Sequence, residues 1–318
     1  MDAPLGNNCK DTAPTLGAFL FCGAFALYLF TLAPTVTFWD SGELIAASHL
    51  LGISHQPGYP LYCILGKGFS LLLPVGSNAF RLNLMSAAFS ALTAFVVYKA
   101  VLALLDDRAE SVAGRLAAPV AASLAFLMAA SRTFWSQAVV AEVYALNSFF
   151  LALLVLMHVY SRQGRIGAAR YVRLSGFVFG LGVVNHVSLA VYLPALALSW
   201  GLAPRDENLD EGPCGRITPY LQGVFFALLG LSVFFYLPVR SAAGAGLDIG
   251  HPDTPRSSLH GGSSGTGGRP RSRSSSFSYF TCSWSRRRRR GRRATSGSDS
   301  RPSSTYPRSL RVPCSRAC

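Results

Sequence analysis

The stretch TAPTLGAFLFCGAFALYLFTLAPTVTFWDSGEL, residues 12–44, decides the fold class. Residues 12–39 include no charged side chain, and about 20 apolar residues are enough to cross the hydrocarbon core of a bilayer. Asp40 and Glu43 follow at once. A cleaved leader is the competing reading of this run. It is longer than the roughly 7–15 residue core of a leader, however, and its N-terminal flank is barely basic.

Outward from this stretch similar apolar runs recur at 84–105, with Lys99 near its end, and at 116–131, 143–161, 174–204 and 217–239. Half of the 318 residues are hydrophobic, only 14% are charged and the mean hydropathy is +0.33. That balance excludes an ordinary soluble domain and points to an integral membrane protein. As one helix, the run 174–204 would reach roughly 46 Å at about 1.5 Å per residue, against a core of about 30 Å. It reads better as two legs broken at VNHVS, 184–188, where Asn185 and His186 need polar partners. The segment PLYCILGKGFSLLLPVG, 60–76, is too short to span and carries Lys67, so it is expected to lie along the interface. The expectation is an all-α, multi-pass helical bundle of about seven spans over residues 1–254, with a first external loop at 37–83.

The net charge of +14 is confined to one end. Residues 1–254 hold 14 Lys and Arg against 14 Asp and Glu, whereas 255–318 hold 15 Arg, no Lys and one acid, Asp299. Such Arg/Ser/Gly/Pro text cannot bury enough apolar surface to offset chain entropy and is expected to be disordered. Three readings compete: a nucleic-acid-binding tract, a segment lying on anionic membrane lipid, and a reading frame that slipped near residue 255. The absence of Lys favours the third and makes nucleic acid an unexpected partner. The seven cysteines form no CxxC pair and indicate neither a zinc site nor a disulfide framework. With the N-terminus inside, inner segments carry ten Lys and Arg and outer ones four (Lys67, Arg81, Arg132 and Arg240), which supports a cytoplasmic N-terminus.

On this layout four polar clusters share the outer face: Asp40 with Glu43, Glu142 with Asn147, Asn185 with His186, and Arg240. Polar groups at span ends are costly unless they face a cavity or a partner. Each has a plain reading beside a functional one. Asp40-x-x-Glu43 fits an N-capping box; residues three apart also share a helix face, so both carboxylates can look into one cavity. HQPGYPLY, 55–62, forces a turn, which would hold His55 and Tyr59 near the acids. Glu142 marks either a water boundary or a site, and Tyr144 reads as an interface aromatic. Arg240 either snorkels or clamps a phosphate in a bidentate fork.

TVTFWDSGELIAASHLLGISHQPGYPLY (35–62), AEVYALN (141–147) and YLPVRSAAGAGLDIGHPDTP (236–255) resemble the bacterial branch of a membrane-domain family now placed among GT-C type glycosyltransferases. Its animal relative is an endoplasmic reticulum O-mannosyltransferase acting on plexin-type ectodomains. The resemblance implies an inverting enzyme in a bacterial plasma membrane. It would move a sugar from a polyprenyl-phosphate donor to a hydroxyl on a protein or glycan acceptor, at the outer or lumenal face. It also implies that Asp40, with Glu43 beside it, is the essential acid of the first external loop. His55, Tyr59, Glu142, Asn147, Asn185, His186 and Arg240 are then the candidate substrate-binding residues, with Lys67 and Arg81 as lesser candidates for steadying the leaving phosphate. A divalent metal is left open, and no spacing of His and Asp calls for one. The sequence departs from the family pattern at Gln56, Ile249 and His251, and where further spans are expected it has the Arg-rich tail.

Overall fold

The computed structural model describes residues 8–106, 116–203 and 213–244. The expected domain boundary at 254, the tail 255–318, and Ile249, His251, Arg108, Arg115 and Arg205 lie outside the described residues. Among those described, every regular element is helical: α1 (Asn8–Phe30), α2 (Ser41–Leu50), α3 (Pro60–Leu72), α4 (Asn78–Asp106), α5 (Ala117–Ala129), α6 (Arg132–Ala138), α7 (Val143–Arg162), α8 (Ala168–Asn185), α9 (Leu193–Gly201), α10 (Pro213–Leu231) and α11 (Tyr236–Ala242). Short 3₁₀ turns at Val187–Tyr192 and Ser232–Phe235 join α8 to α9 and α10 to α11.

Among the described residues, four helical stretches are long and apolar enough to cross a membrane: Ala13–Phe30, Asn78–Leu105, Val143–Arg162 and Ile217–Ala242. A fifth arises if α5 and α6, bent by 69° at their junction, count as one broken span. This is fewer than the seven crossings expected, for local reasons. The run 116–131 ends at Ser131, whose extended geometry starts a new helix at an angle instead of prolonging the old one. The run 174–204 does break where expected, with His186 extended after Asn185. Its first leg starts earlier, at Ala168, and takes in Arg170 and Arg173, while its second is a shorter apolar stretch over Val187–Gly201. The last span contains a 3₁₀ turn because Pro238 has no amide to close an α-helical bond to Phe234.

Helix α1 stops at Phe30, well short of Trp39. Pro34 disfavours helical geometry at Ala33, and the freed backbone finds new partners. Buried Asn83 of α4 donates from Nδ2 to the carbonyls of Ala33 (2.7 Å) and Thr35 (3.1 Å). The Ala33 amide donates to Val139 (3.0 Å), and Trp135 Nε1 donates to Thr31 Oγ1 (2.9 Å). The segment leading to Asp40 is thereby fixed to α4 on one side and to the α6–α7 connection on the other.

Helices α8 and α10 pack closely against each other. A Cβ at Gly176 would lie 2.3 Å from the Gly223 carbonyl oxygen, and one at Gly180 would lie 2.2 Å from that of Ala227. The Gly176-x-x-x-Gly180 spacing puts both on one helix face, the small-residue packing by which helices associate in lipid.

Candidate functional site

Asp40 stands at the start of α2, but its side chain makes no capping hydrogen bond. Its backbone is helical (φ −80°, ψ −2°) rather than in the extended region an N-cap adopts, so the capping box does not form. Glu43 turns instead to the next loop, where Oε1 accepts from the His55 amide and Oε2 lies 3.2 Å from His55 Nδ1. With Nδ1–H donating to Glu43, Nε2 keeps a lone pair. That nitrogen is 3.2 Å from the Tyr59 hydroxyl and 3.8 Å from Asp40 Oδ2.

The turn that delivers His55 uses the backbone freedom of Gly58, at φ +94°, and places Tyr59 in left-handed geometry ahead of Pro60, the first residue of α3. Tyr59 faces His186 at 5.9 Å between ring centroids and 15° between planes, and His186 in turn meets Tyr144 at 5.3 Å. Burial lowers the pKa of His186, keeping it neutral, and its Nδ1 accepts from the Ser188 amide (3.2 Å). Asn147 reaches the Ser188 hydroxyl at 3.5 Å. Asn185, fully buried, donates to the Val143 carbonyl (3.2 Å) and so ties the end of α8 to the start of α7.

Glu142, the residue before α7, is 8% exposed. Burial, and then the charge of Asp40, push its carboxyl up to about 7. Both acids line a cavity of about 500 Å³ together with Thr37, Trp39, Gln137 and Tyr144. A second cavity of about 510 Å³ adjoins it, sharing Gln137 and Tyr144 and lined further in by Ser90, Ala145 and Ser148. Asp40, Glu43 and His55 each offer a ligand atom within 4.8 Å of the others, so the structure contains a grouping able to hold a metal. The twelve residues from Glu43 to His55 hid it from any motif.

Three of the four polar clusters therefore meet through named contacts: Asp40 and Glu43 with His55, Tyr59 with His186, and Glu142 on the shared cavity. Arg240 is placed differently. Its Nε donates to the Leu51 carbonyl (2.6 Å) and its Nη2 to that of Leu50 (3.3 Å), at the far end of α2. Lys67 donates to the His49 carbonyl (2.7 Å), and Arg81 to the carbonyls of Ser70, Val75 and Gly76 (3.1 Å each). Sequence reasoning also gave Tyr144 too small a part. Its position three residues before Asn147 on one helix face was the available signal; Gln137 offered none.

Residues 40–208 match the family described as the protein O-mannosyl-transferase TMEM260 N-terminal domain. The mouse protein O-mannosyl-transferase TMEM260 is 31% identical over 226 residues, covering 70% of this chain and 30% of that protein. The Dictyostelium discoideum protein O-mannosyl-transferase tmem260 is 27% identical over 232 residues, covering 69% of this chain and 26% of that one. The chain thus spans less than a third of the length of these curated relatives. No solved structure matches. The matched segment contains every candidate site residue except Arg240. With that segment covering more than half of its length, the chain belongs to the TMEM260 N-terminal domain family.

Proposed function

We propose that this chain is the membrane-embedded, N-terminal part of a GT-C type glycosyltransferase. It moves a mannose-like hexose from a polyprenyl-phosphate carrier to a hydroxyl of a protein or glycan at the outer or lumenal face of its membrane. The observation that carries the reading is the single cavity lined by Asp40 and Glu142, with Glu43 and His55 directly behind Asp40.

The chemistry needs one group to take a proton, one to position the acceptor, and some means of meeting the charge that appears on the departing phosphate. Asp40, more than half exposed and free of any capping bond, is the base for the attacking hydroxyl. His55, oriented by Glu43 and 3.2 Å from the Tyr59 hydroxyl, stands beside Asp40 at 3.8 Å. Glu142, with its carboxyl near 7, carries a proton part of the time at neutral pH and can donate a hydrogen bond to a sugar oxygen. Tyr59, His186 and Asn147 form the wall that positions the acceptor, and Asn185 supports that wall from behind. Arg240, Lys67 and Arg81 are structural.

The reading places the N-terminus in the cytoplasm of a bacterial cell, supported by the Lys and Arg bias of the loops. Transfer from radiolabelled polyprenyl-phosphate mannose, measured in membranes carrying the full chain, tests it. The expected result is incorporation that falls about 100-fold or more with Asp40→Asn. Equal incorporation with the variant, or none above membranes lacking the chain, removes the assignment.

A further inference from the structure

Among the described residues, three buried side-chain oxygens that line the two adjoining cavities have no hydrogen-bond partner: Thr37 Oγ1, Ser90 Oγ and Gln137 Oε1. Ser90 is the most informative. It is 1% exposed and stands twelve residues after Asn78 in α4, about 18 Å along that helix. A hydroxyl inside an apolar helix commonly returns to a carbonyl of the preceding turn, as that of Thr93 does to Phe89 at 2.7 Å. The Ser90 hydroxyl does not; it lines the second cavity unpaired. Gln137 stands where the two cavities meet, and its buried amide oxygen is unpaired as well. Buried polar groups are normally satisfied, so each of these calls for a partner from outside the chain.

The lining says what that partner must offer. The second cavity, of about 510 Å³, falls within the roughly 300–1,000 Å³ of small-molecule sites. No charged side chain lines it. Met128, Phe134 and Tyr144 give it apolar and aromatic surface, and Thr133 and Ser148 add further hydroxyls. A prenyl chain would fit the apolar surface but would leave Ser90 and Gln137 unpaired. A phosphate would bring charge into a cavity that has no cation to meet it, next to the one lined by Asp40 and Glu142. A neutral sugar meets both demands, since its hydroxyls donate and accept while its C–H faces pack on apolar and aromatic side chains. The same two acids would repel a sugar that carried a carboxylate of its own.

We propose that the second cavity is the subsite for the hexose itself, that Ser90 and Gln137 select it by bonding two of its hydroxyls, and that the adjoining acids exclude uronic sugars. The inference rests on the transferase reading and deepens it. The sugar ring lies in the second cavity, and its reacting carbon faces Asp40 past Gln137.

Saturation-transfer difference NMR of methyl mannoside, with the full chain in a detergent that has no sugar headgroup, reads binding without turnover. The wild type is expected to bind the neutral sugar at least tenfold more tightly than methyl mannosiduronate. Ser90→Ala and Gln137→Leu are each expected to raise the dissociation constant about tenfold. Both variants should melt at or above the wild-type temperature without sugar, because each removes an unpaired buried group; should one fail to fold, the other still carries the test. In the transfer assay, wild type should use at least one deoxymannosyl donor about tenfold less well than the mannosyl donor, and Gln137→Leu or Ser90→Ala should bring that ratio close to one. No binding of the neutral sugar by the wild type overturns the proposal. So do dissociation constants unchanged in both variants, or a uronide that binds as tightly as the neutral sugar. Binding that is lost in the variants, with no transfer from any carrier, would sink the transferase reading and leave the subsite standing; transfer by a wild type whose sugar binding neither variant alters would do the reverse.

Discussion

The two ends of helix α2 carry opposite charges with opposite fates. At its C-terminal end Arg240 and Lys67 donate to the carbonyls of Leu50, Leu51 and His49, and the Tyr236 hydroxyl donates to that of Gly52 (3.0 Å). A helix leaves its last four carbonyls without internal partners, and cations are favoured there. At the N-terminal end Asp40 and Glu43 occupy the position where a helix welcomes anions, yet neither caps it. The cations are engaged by backbone carbonyls, whereas Glu43 turns to His55 and Asp40 lines a cavity with Glu142. Charged residues in matching positions of a sequence can thus serve the fold at one end of a helix and remain available for chemistry at the other.

The sharpest way to break this contrast is at His55, which bonds Glu43 and stands 3.8 Å from Asp40. His55→Ala should lower sugar transfer about 100-fold or more, read in the labelled-donor assay. A loss of less than about tenfold would mean that the acids act without it.

Glu142 offers the next largest effect, and its sign follows from its protons. The folded carboxyl titrates near 7 and an unperturbed one near 4.5, so the folded state holds more protons between those values. Stability must then fall as pH rises through this window, and the loss is complete above about 7. Glu142→Gln removes the penalty. In EDTA its melting temperature should match the wild type near pH 4 and exceed it at pH 8. A constant difference between the two pH values would contradict the burial of this acid.

At the other end of α2 the expected effects are on stability. Arg240→Ala removes two hydrogen bonds from a charged donor and should cost about 2 kcal/mol, read by thermal or denaturant unfolding in detergent. Lys67→Met removes one exposed bond and should cost about 0.5 kcal/mol. If Arg240→Ala left stability unchanged, the carbonyl contacts would not be its role, and a phosphate clamp would regain its claim.

The legible parts of the molecule were those that depend on composition over a long window. Long apolar runs located the four helices able to span, and Asn185 with His186 marked a real break, because an amide and an imidazole seldom continue an apolar helix without partners. The acids after the first apolar run were conspicuous for the same reason. Helix ends were less visible: α1 stops at Phe30 because Pro34 and the reach of Asn83 from α4 draw the chain away, and the second of these is a tertiary contact. The pairing of Glu43 with His55 depends on how the Gly58 turn folds back. Arg240 was ambiguous in principle. An arginine at the end of an apolar run looks the same whether it snorkels, binds phosphate or holds a neighbouring helix end, and only the position of α2 decides among them.

The most direct measurement places the two ends of α2 in one experiment: transfer of labelled mannose from polyprenyl phosphate, per folded molecule, by Asp40→Asn and Arg240→Ala side by side. Folded protein is counted by gel filtration of the same preparations. The account predicts that Asp40→Asn loses about 100-fold or more while remaining as stable as the wild type, and that Arg240→Ala loses stability but transfers close to the wild-type rate once corrected for folding. Transfer that survives in Asp40→Asn and vanishes in well-folded Arg240→Ala would contradict it.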